Sequence, residues 1–228
     1  MANMTPQLLR FGTGLHPVVT VDSATAAAGA VIDLAADLAP FPRGPNPNYP
    51  GVRRVITETD VAAYDYVVAL LQALAPFIAG GFDCDGFDLL EASFSVVTTP
   101  AGSLAPEQRI PHFDSTDPRY LAVMHYVGGV VGSGTAFYRQ RATGIEKVTE
   151  AQRERFIDHA RAAAPTLAGY VSGSNPAFEV IGRVAGMPDR AVIYQGALLH
   201  SGVIPADMPL DPDPRRGRLT TNIFIRIR

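Results

Sequence analysis

The chain has a single cysteine, Cys84, among 228 residues, which excludes an internal disulfide and any thiolate zinc pattern. Lysine is almost as scarce: Lys147 stands alone among arginines, so Schiff-base and lysine-nucleophile chemistries have almost nowhere to sit. Charged residues make up 18% and the net charge is −3, which leaves no basic excess for a nucleic-acid surface. No apolar run reads as the roughly 20 residues of a membrane span. The opening Met1-Ala-Asn-Met-Thr-Pro lacks the basic and apolar segments of a secretory signal, so a soluble, cytoplasmic protein is expected.

What is present is an ordinary globular composition, 47% hydrophobic, in a length that suits one domain with one core. Asp22 to Leu38 is Ala-rich with apolar spacing at Val31, Leu34 and Leu38. Glu58 to Ile78 carries Val61, Val68, Leu71, Leu74 and Phe77 on a broad stripe, with Thr57 or Thr59 as N-cap, and both segments read as helices. Prolines at 40, 42, 45, 47 and 50 make the crossing between them irregular. From about Leu89 the period changes, and Ala92–Thr98, Arg109–Asp114, Tyr120–Val127 and Thr135–Arg139 read as short strands. A capping box at Thr149-Glu-Ala-Gln152 opens a helical insertion to about Ala164, and a second short helix is expected near Ala177 to Val184. Strands resume at Ala191–Gln195, Leu198–Gly202 and Arg218–Ile227. This order predicts one α+β domain over residues 1–228, helical to about 88, with a β-sandwich or barrel core over about 89–228.

The informative segment is Arg109-Ile-Pro-His112-Phe-Asp114-Ser115. Alternation along a strand would put His112 and Asp114 on one face and Phe113 on the other. A third ligand must come from another strand, and His200 in Leu198-Leu-His-Ser-Gly202 supplies it. Two imidazoles and one carboxylate form the facial triad that leaves three positions open on iron(II) for O2 and a chelating cosubstrate. His-x-Asp alone is weak, because a strand histidine is more often a packed core residue; its context is what raises it. In Arg218-Leu-Thr220-Thr-Asn222-Ile-Phe224, one face carries Arg218, Thr220, Asn222 and Phe224. A guanidinium fork beside a hydroxyl makes a carboxylate anchor, where the blander reading is a solvated edge strand.

Taken together, these segments resemble the 2-oxoglutarate-dependent oxygenases with a double-stranded β-helix (a jelly-roll, cupin-like barrel), in their prolyl-hydroxylase-like branch. His112-x-Asp114 resembles the first metal motif, and Leu121–Val127 with Gly132-Ser-Gly-Thr-Ala-Phe137 resembles the strand and turn after it. Ala191 to Gly202 resembles the strand carrying the distal histidine, and Arg218-x-Thr220 resembles the cosubstrate clamp. Tyr49–Arg53 and Thr135–Arg139 further resemble a bacterial group within that branch. The resemblance implies His112, Asp114 and His200 as the catalytic metal ligands for iron(II). It implies Arg218 and Thr220 for 2-oxoglutarate, and O2-dependent hydroxylation of an unactivated C–H bond with release of succinate and CO2. Prolyl hydroxylases usually hold the cosubstrate with lysine, and the interval from His200 to Arg218 is long for the family, so Arg139 and Arg141 are the substitute anchors. Asp114, in place of a small residue, favours hydroxylation over halogenation.

Tyr126, Tyr138, Arg139 and Arg141 are candidates to line a substrate pocket, and the helical insertion with the Pro205–Gly217 loop is a candidate lid. If Tyr126 faces the pocket, His125 faces away and is structural. His159 reads as a solvated helix position, and Asp83, Asp85 and Asp88 read as a turn rather than a calcium loop. The expected partner is a small molecule, neither nucleic acid nor membrane, with a homodimer allowed. The competing readings are a cupin-like dioxygenase or isomerase that does not use 2-oxoglutarate, and a non-catalytic binding barrel.

Overall fold

Two antiparallel sheets pack face to face in the computed structural model, which describes residues 4–43, 49–128 and 130–228. In chain order the elements are β1 (Thr5–Phe11), β2 (His16–Asp22), α1 (Ala28–Asp37), β3 (Gly51–Ile56), α2 (Val61–Phe82), β4 (Phe87–Val97), β5 (Tyr120–Tyr126) and β6 (Gly134–Gln140). They continue with α3 (Arg153–Ala163), β7 (Phe178–Ala185), β8 (Arg190–Gln195), β9 (His200–Val203) and β10 (Leu219–Ile227). The larger sheet runs β1-β2-β8-β5-β10-β4-β3 and the smaller β7-β6-β9. The chain crosses between sheets repeatedly: β5 lies in the large sheet, β6 and β7 in the small, β8 in the large, β9 in the small and β10 in the large.

Alternation on each central strand decides what lies in each layer. Leu219, Ile223 and Ile225 of β10, Leu121 and Val123 of β5, and Ala191 and Ile193 of β8 face outward into a core with α1 and α2. The other faces contribute Ala122, Tyr126, Val192 and Tyr194 to an inter-sheet cluster completed by Phe137, Val184 and Leu198. A third cluster lies beneath α3, where Phe156 and Ala160 meet Ala136, Tyr138, Phe178 and Leu199 on the outer side of the small sheet.

α2 buries Ala63, Val67, Leu70, Leu71, Leu74 and Ile78, a stripe at helical spacing, and Pro76 is accommodated inside it. Its N-cap is Asp60, not the expected Thr57 or Thr59; the Asp60 carboxylate instead accepts from the Thr57 N–H at 2.9 Å. Contrary to the sequence expectation, its 22 residues at mean hydropathy 1.6 are long and apolar enough to span a membrane; here the apolar stripe lies on the large sheet.

Several other expectations are corrected. α1 begins at Ala28 rather than Asp22, because β2 runs to Asp22 and the turn after it holds Ser23 and Ala26 at positive φ. The helix expected at 177–184 is strand β7, paired along its length with β6; its Val180, Ile181 and Val184 suit a ladder better than a helix. Residues 109–114 form no regular strand but leave a 3₁₀ turn, Pro106–Arg109, and make one isolated bridge. The β1–β2 hairpin is unanticipated. Part of the proline-rich crossing, 44–48, lies outside the described residues.

Two buried carboxylates pin the periphery. Glu146 accepts from the Thr13 and Gly14 N–H groups, His16 Nε2 and Arg139, holding the β1–β2 turn; a Cβ at Gly12, where φ is +68°, would stand 2.4 Å from its Oε2. Asp189 accepts from the Thr25 and Ala26 N–H groups and from His125 Nε2. His125 in turn meets the Tyr66 hydroxyl at 2.7 Å, and Tyr66 meets Thr221 at 2.8 Å. This chain ties α2 and the Ser23–Ala27 turn to the outer face of the large sheet, and His125 is structural, as expected.

Asp189→Ala leaves two backbone N–H groups and His125 without their acceptor, and is expected to cost about 3 kcal/mol. Thermal denaturation should then fall by about 6–12 °C for a chain of this size. Burial alone would raise Asp189 and Glu146, but the donated hydrogen bonds outweigh it and hold both at about 2. Carboxylates depressed in the folded state stabilise it above their unfolded values, and that stability is lost as pH falls through the folded ones. The melting temperature should therefore be insensitive to these groups above about pH 5 and decline from about pH 4 toward 2. Asp189→Asn with Glu146→Gln should flatten that decline.

Candidate metal centre

His112, Asp114 and His200 come together with one ligand atom from each, all within 4.8 Å of one another. No ladder carries the first two. His112 and His200 exchange backbone bonds, N to O at 2.9 Å in both directions, and the Asp114 N–H donates to Gly196 O at 2.7 Å. These bonds hold 112–114 extended across the end of β9, so the alternation expected of a strand survives. His112 faces His200 with ring centroids 4.3 Å apart, while Phe113 turns the other way, edge-on to Phe156 at 5.6 Å.

The protonation states are those that a divalent cation needs. His200 Nδ1 lies 2.8 Å from Leu198 O, which places its proton there and leaves the Nε2 lone pair facing Asp114 Oδ2 at 3.6 Å. Burial pushes His200 down to about 4 and Asp114 up to about 6, the latter opposed by His112 and Arg53, so two neutral imidazoles and a carboxylate coexist at neutral pH. Among the described residues Asp114 Oδ2 is buried with no hydrogen-bond partner. A carboxylate whose two oxygens each face one imidazole nitrogen, Oδ1 toward His112 and the orphaned Oδ2 toward His200, fits a metal ion better than it fits a packed core. His112 leaves more than half of its side chain in solvent and marks the open side. Tyr194, fully buried, backs the other side at 4.7 Å from the His200 ring and in turn meets Phe137.

Arg218 enters β10 on the same inner layer. It is 4% exposed, donates from Nε to Ser133 Oγ at 2.7 Å and lies over the Tyr126 ring at 5.2 Å. Among the described residues no carboxylate comes within ion-pair distance of it. Thr220, buried beside it, sits opposite Tyr126 and Ser95 in the two ladders. Tyr126, beneath the Arg218 guanidinium, and Tyr194, beside the His200 ring, belong to the same inter-sheet cluster, so triad and guanidinium flank one chamber between the sheets.

Of the other sequence candidates, Tyr126 belongs to this chamber. The structure does not bring Tyr138, Arg139 and Arg141 to it. Tyr138 is buried beneath α3 with its hydroxyl on Val171 O, because alternation along β6 puts it with Ala136 on the outer face while Phe137 points inward. Arg139 is spent on Glu146 and Glu179, and Arg141 donates to Asn175 O near Glu179. Neither can serve as the substitute anchor.

Sequence reasoning passed over Arg53, Ser93 and Ser95, which the ladders put on the inner face with Thr220 and Asn222. Arg53 donates from Nε to Ser93 Oγ at 2.8 Å and is paired with Glu91. Alternating serines inside a buried strand were the available signal.

A family model described as "Family of unknown function (DUF6445)" matches residues 2–225. No curated protein matches the chain in sequence. Among solved structures, the non-heme α-ketoglutarate-dependent epimerase SnoN from nogalamycin biosynthesis aligns with TM-score 0.53 and 11% identity, over 92% of this chain and 77% of its own. HygX from Streptomyces hygroscopicus, with iron bound, aligns with TM-score 0.52 and 12% identity, over 93% of this chain and 83% of its own. A second HygX structure, with nickel and 2-oxoglutarate bound, gives TM-score 0.51 at 13% identity, over 92% and 82%. At these identities the likeness is one of fold.

Proposed function

The chain belongs to the DUF6445 family, and for it we propose an iron(II)- and 2-oxoglutarate-dependent oxygenase that hydroxylates an unactivated C–H bond of a small molecule. The observation that carries the reading is Arg218. A guanidinium buried without a counter-ion costs several kcal/mol unless a carboxylate meets it, and Ser133, Gly134 O and the Tyr126 face offer only dipoles. A carboxylate anchor in the same chamber as a two-histidine, one-carboxylate set is what a chelating dicarboxylate cosubstrate requires. The strand order, with successive strands passing between the two sheets, supports reading the core as a double-stranded β-helix.

His112, Asp114 and His200 would hold the metal, and Arg218 with Thr220 would hold the distal carboxylate. Bound iron and cosubstrate supply the oxidising chemistry, in which O2, 2-oxoglutarate and substrate give hydroxylated product, succinate and CO2. The chain's own part is to orient and to exclude water. Tyr126 fixes the guanidinium plane, Phe137 and Tyr194 close the back of the chamber, and the His112 side stays open for substrate. Asp114 supplies a carboxylate where a halogenase needs that coordination position free, which favours hydroxylation.

Incubation with iron(II), ascorbate and 2-oxoglutarate alone should give slow succinate formation. Metal uptake without 2-oxoglutarate binding would overturn the reading in favour of a cupin-like enzyme.

A further inference from the structure

We propose that the Tyr49 hydroxyl is a third anchor for the distal carboxylate of the cosubstrate, beside Arg218 and Thr220, supplied from ahead of β3 rather than from a barrel strand. The inference rests on the function proposed above.

Among the described residues three buried side-chain polar atoms have no hydrogen-bond partner: Asp114 Oδ2, Asn222 Oδ1 and the Tyr49 hydroxyl. Asp114 is in the triad, and Asn222 donates from Nδ2 to Ser95 Oγ at 3.1 Å. Ser95 lies opposite Thr220 on one side and Arg53 on the other. The Tyr49 ring packs on Val97, which pairs with Gly51 and lies across the β4–β10 ladder at the level of Arg218, two residues beyond Ser95; both the Arg218 and Arg53 charges act on its hydroxyl.

Chemistry separates the two remaining orphans. Asn222 Oδ1 is an acceptor and has nothing to offer an anion. The Tyr49 phenol, lifted by burial to about 12, stays protonated and can donate. A carboxylate has about four lone-pair sites; the Arg218 fork fills two, Thr220 a third and Tyr49 the fourth. Arg53 does not compete, being engaged by Glu91 and Ser93. The ring packs with Val97, Ile204 and Met208, a role that its oxygen does not serve. If packing were the whole purpose, phenylalanine would do as well, and the hydroxyl would not be buried without a partner.

The test is calorimetric binding to manganese(II)-loaded protein, wild type against Tyr49→Phe, with 2-oxoglutarate and with 2-oxobutyrate, which lacks the distal carboxylate. Loss of a hydrogen bond to a charged group should weaken 2-oxoglutarate binding about ten-fold or more. Binding of 2-oxobutyrate and the unliganded melting temperature should stay unchanged. Equal 2-oxoglutarate affinity in the two proteins would overturn the assignment, and so would an equal loss for both ligands, which would make Tyr49 a wall of the pocket. A wild type that takes up manganese but binds no 2-oxoglutarate would remove the proposed function, and this inference with it.

Discussion

Arg218→Leu is expected to weaken 2-oxoglutarate binding by roughly 30-fold or more while leaving metal uptake intact. Truncating one member of a buried, hydrogen-bonded charge pair costs about 2–5 kcal/mol, or roughly 30- to several-thousand-fold in affinity. The unliganded protein should respond differently. There the guanidinium is buried against dipoles alone, and replacing such a charge with an apolar side chain is often neutral or stabilising. Calorimetry should show the affinity loss, and thermal denaturation should show an unliganded melting temperature no lower than wild type. A purely structural arginine would give the opposite pair of results. Arg218→Lys should recover only part of the affinity, because an ammonium cannot hold Ser133 and present a planar fork to a carboxylate at once.

His200→Ala should abolish stable metal binding, and Asp114→Ala should do the same. Neither ligand has a replacement: His200 Nδ1 is committed to Leu198 O, and no further histidine, cysteine or carboxylate joins the cluster among the described residues. A metal present at about 100 times its Kd stabilises the folded state by about 2.7 kcal/mol, which for a chain of this length raises the melting temperature by about 5–10 °C. Wild type should show that rise with iron(II) or manganese(II), and the variants should not. Metal content after gel filtration gives the independent reading, and stoichiometric metal in His200→Ala would refute the ligand set. Asp114→Ala carries a second signature. Its Oδ2 is a buried acceptor without a partner, so its removal should not lower the stability of the metal-free protein.

How much of this was legible beforehand differs between the two halves of the site. His112 and Asp114 share a face because residues two apart do so in any extended segment, whether or not a ladder forms; the strand expectation failed while the geometry drawn from it held. The shared face of Arg218 and Thr220 was readable from the alternation leading into β10. Tyr138, Arg139 and Arg141 were not, because the pairing of the sheets decides which face of β6 is the inner one, and the partners Glu146 and Glu179 decide where the arginines go. The segment at 177–184 read as a helix from local composition and became a strand because β6 offered a ladder along its length.

The sequence by itself determined the residue types that can hold a metal and an anion, their order, and the face each takes on its own strand, since alternation is a local property of the backbone. Only the tertiary structure decided which faces meet. Among the described residues it left Arg218 buried without a counter-ion, gave Arg139 two, and set Arg53, Ser93 and Ser95 on one face with Thr220. Those outcomes rest on strand register and on pairings between segments far apart in the chain, which no local periodicity encodes.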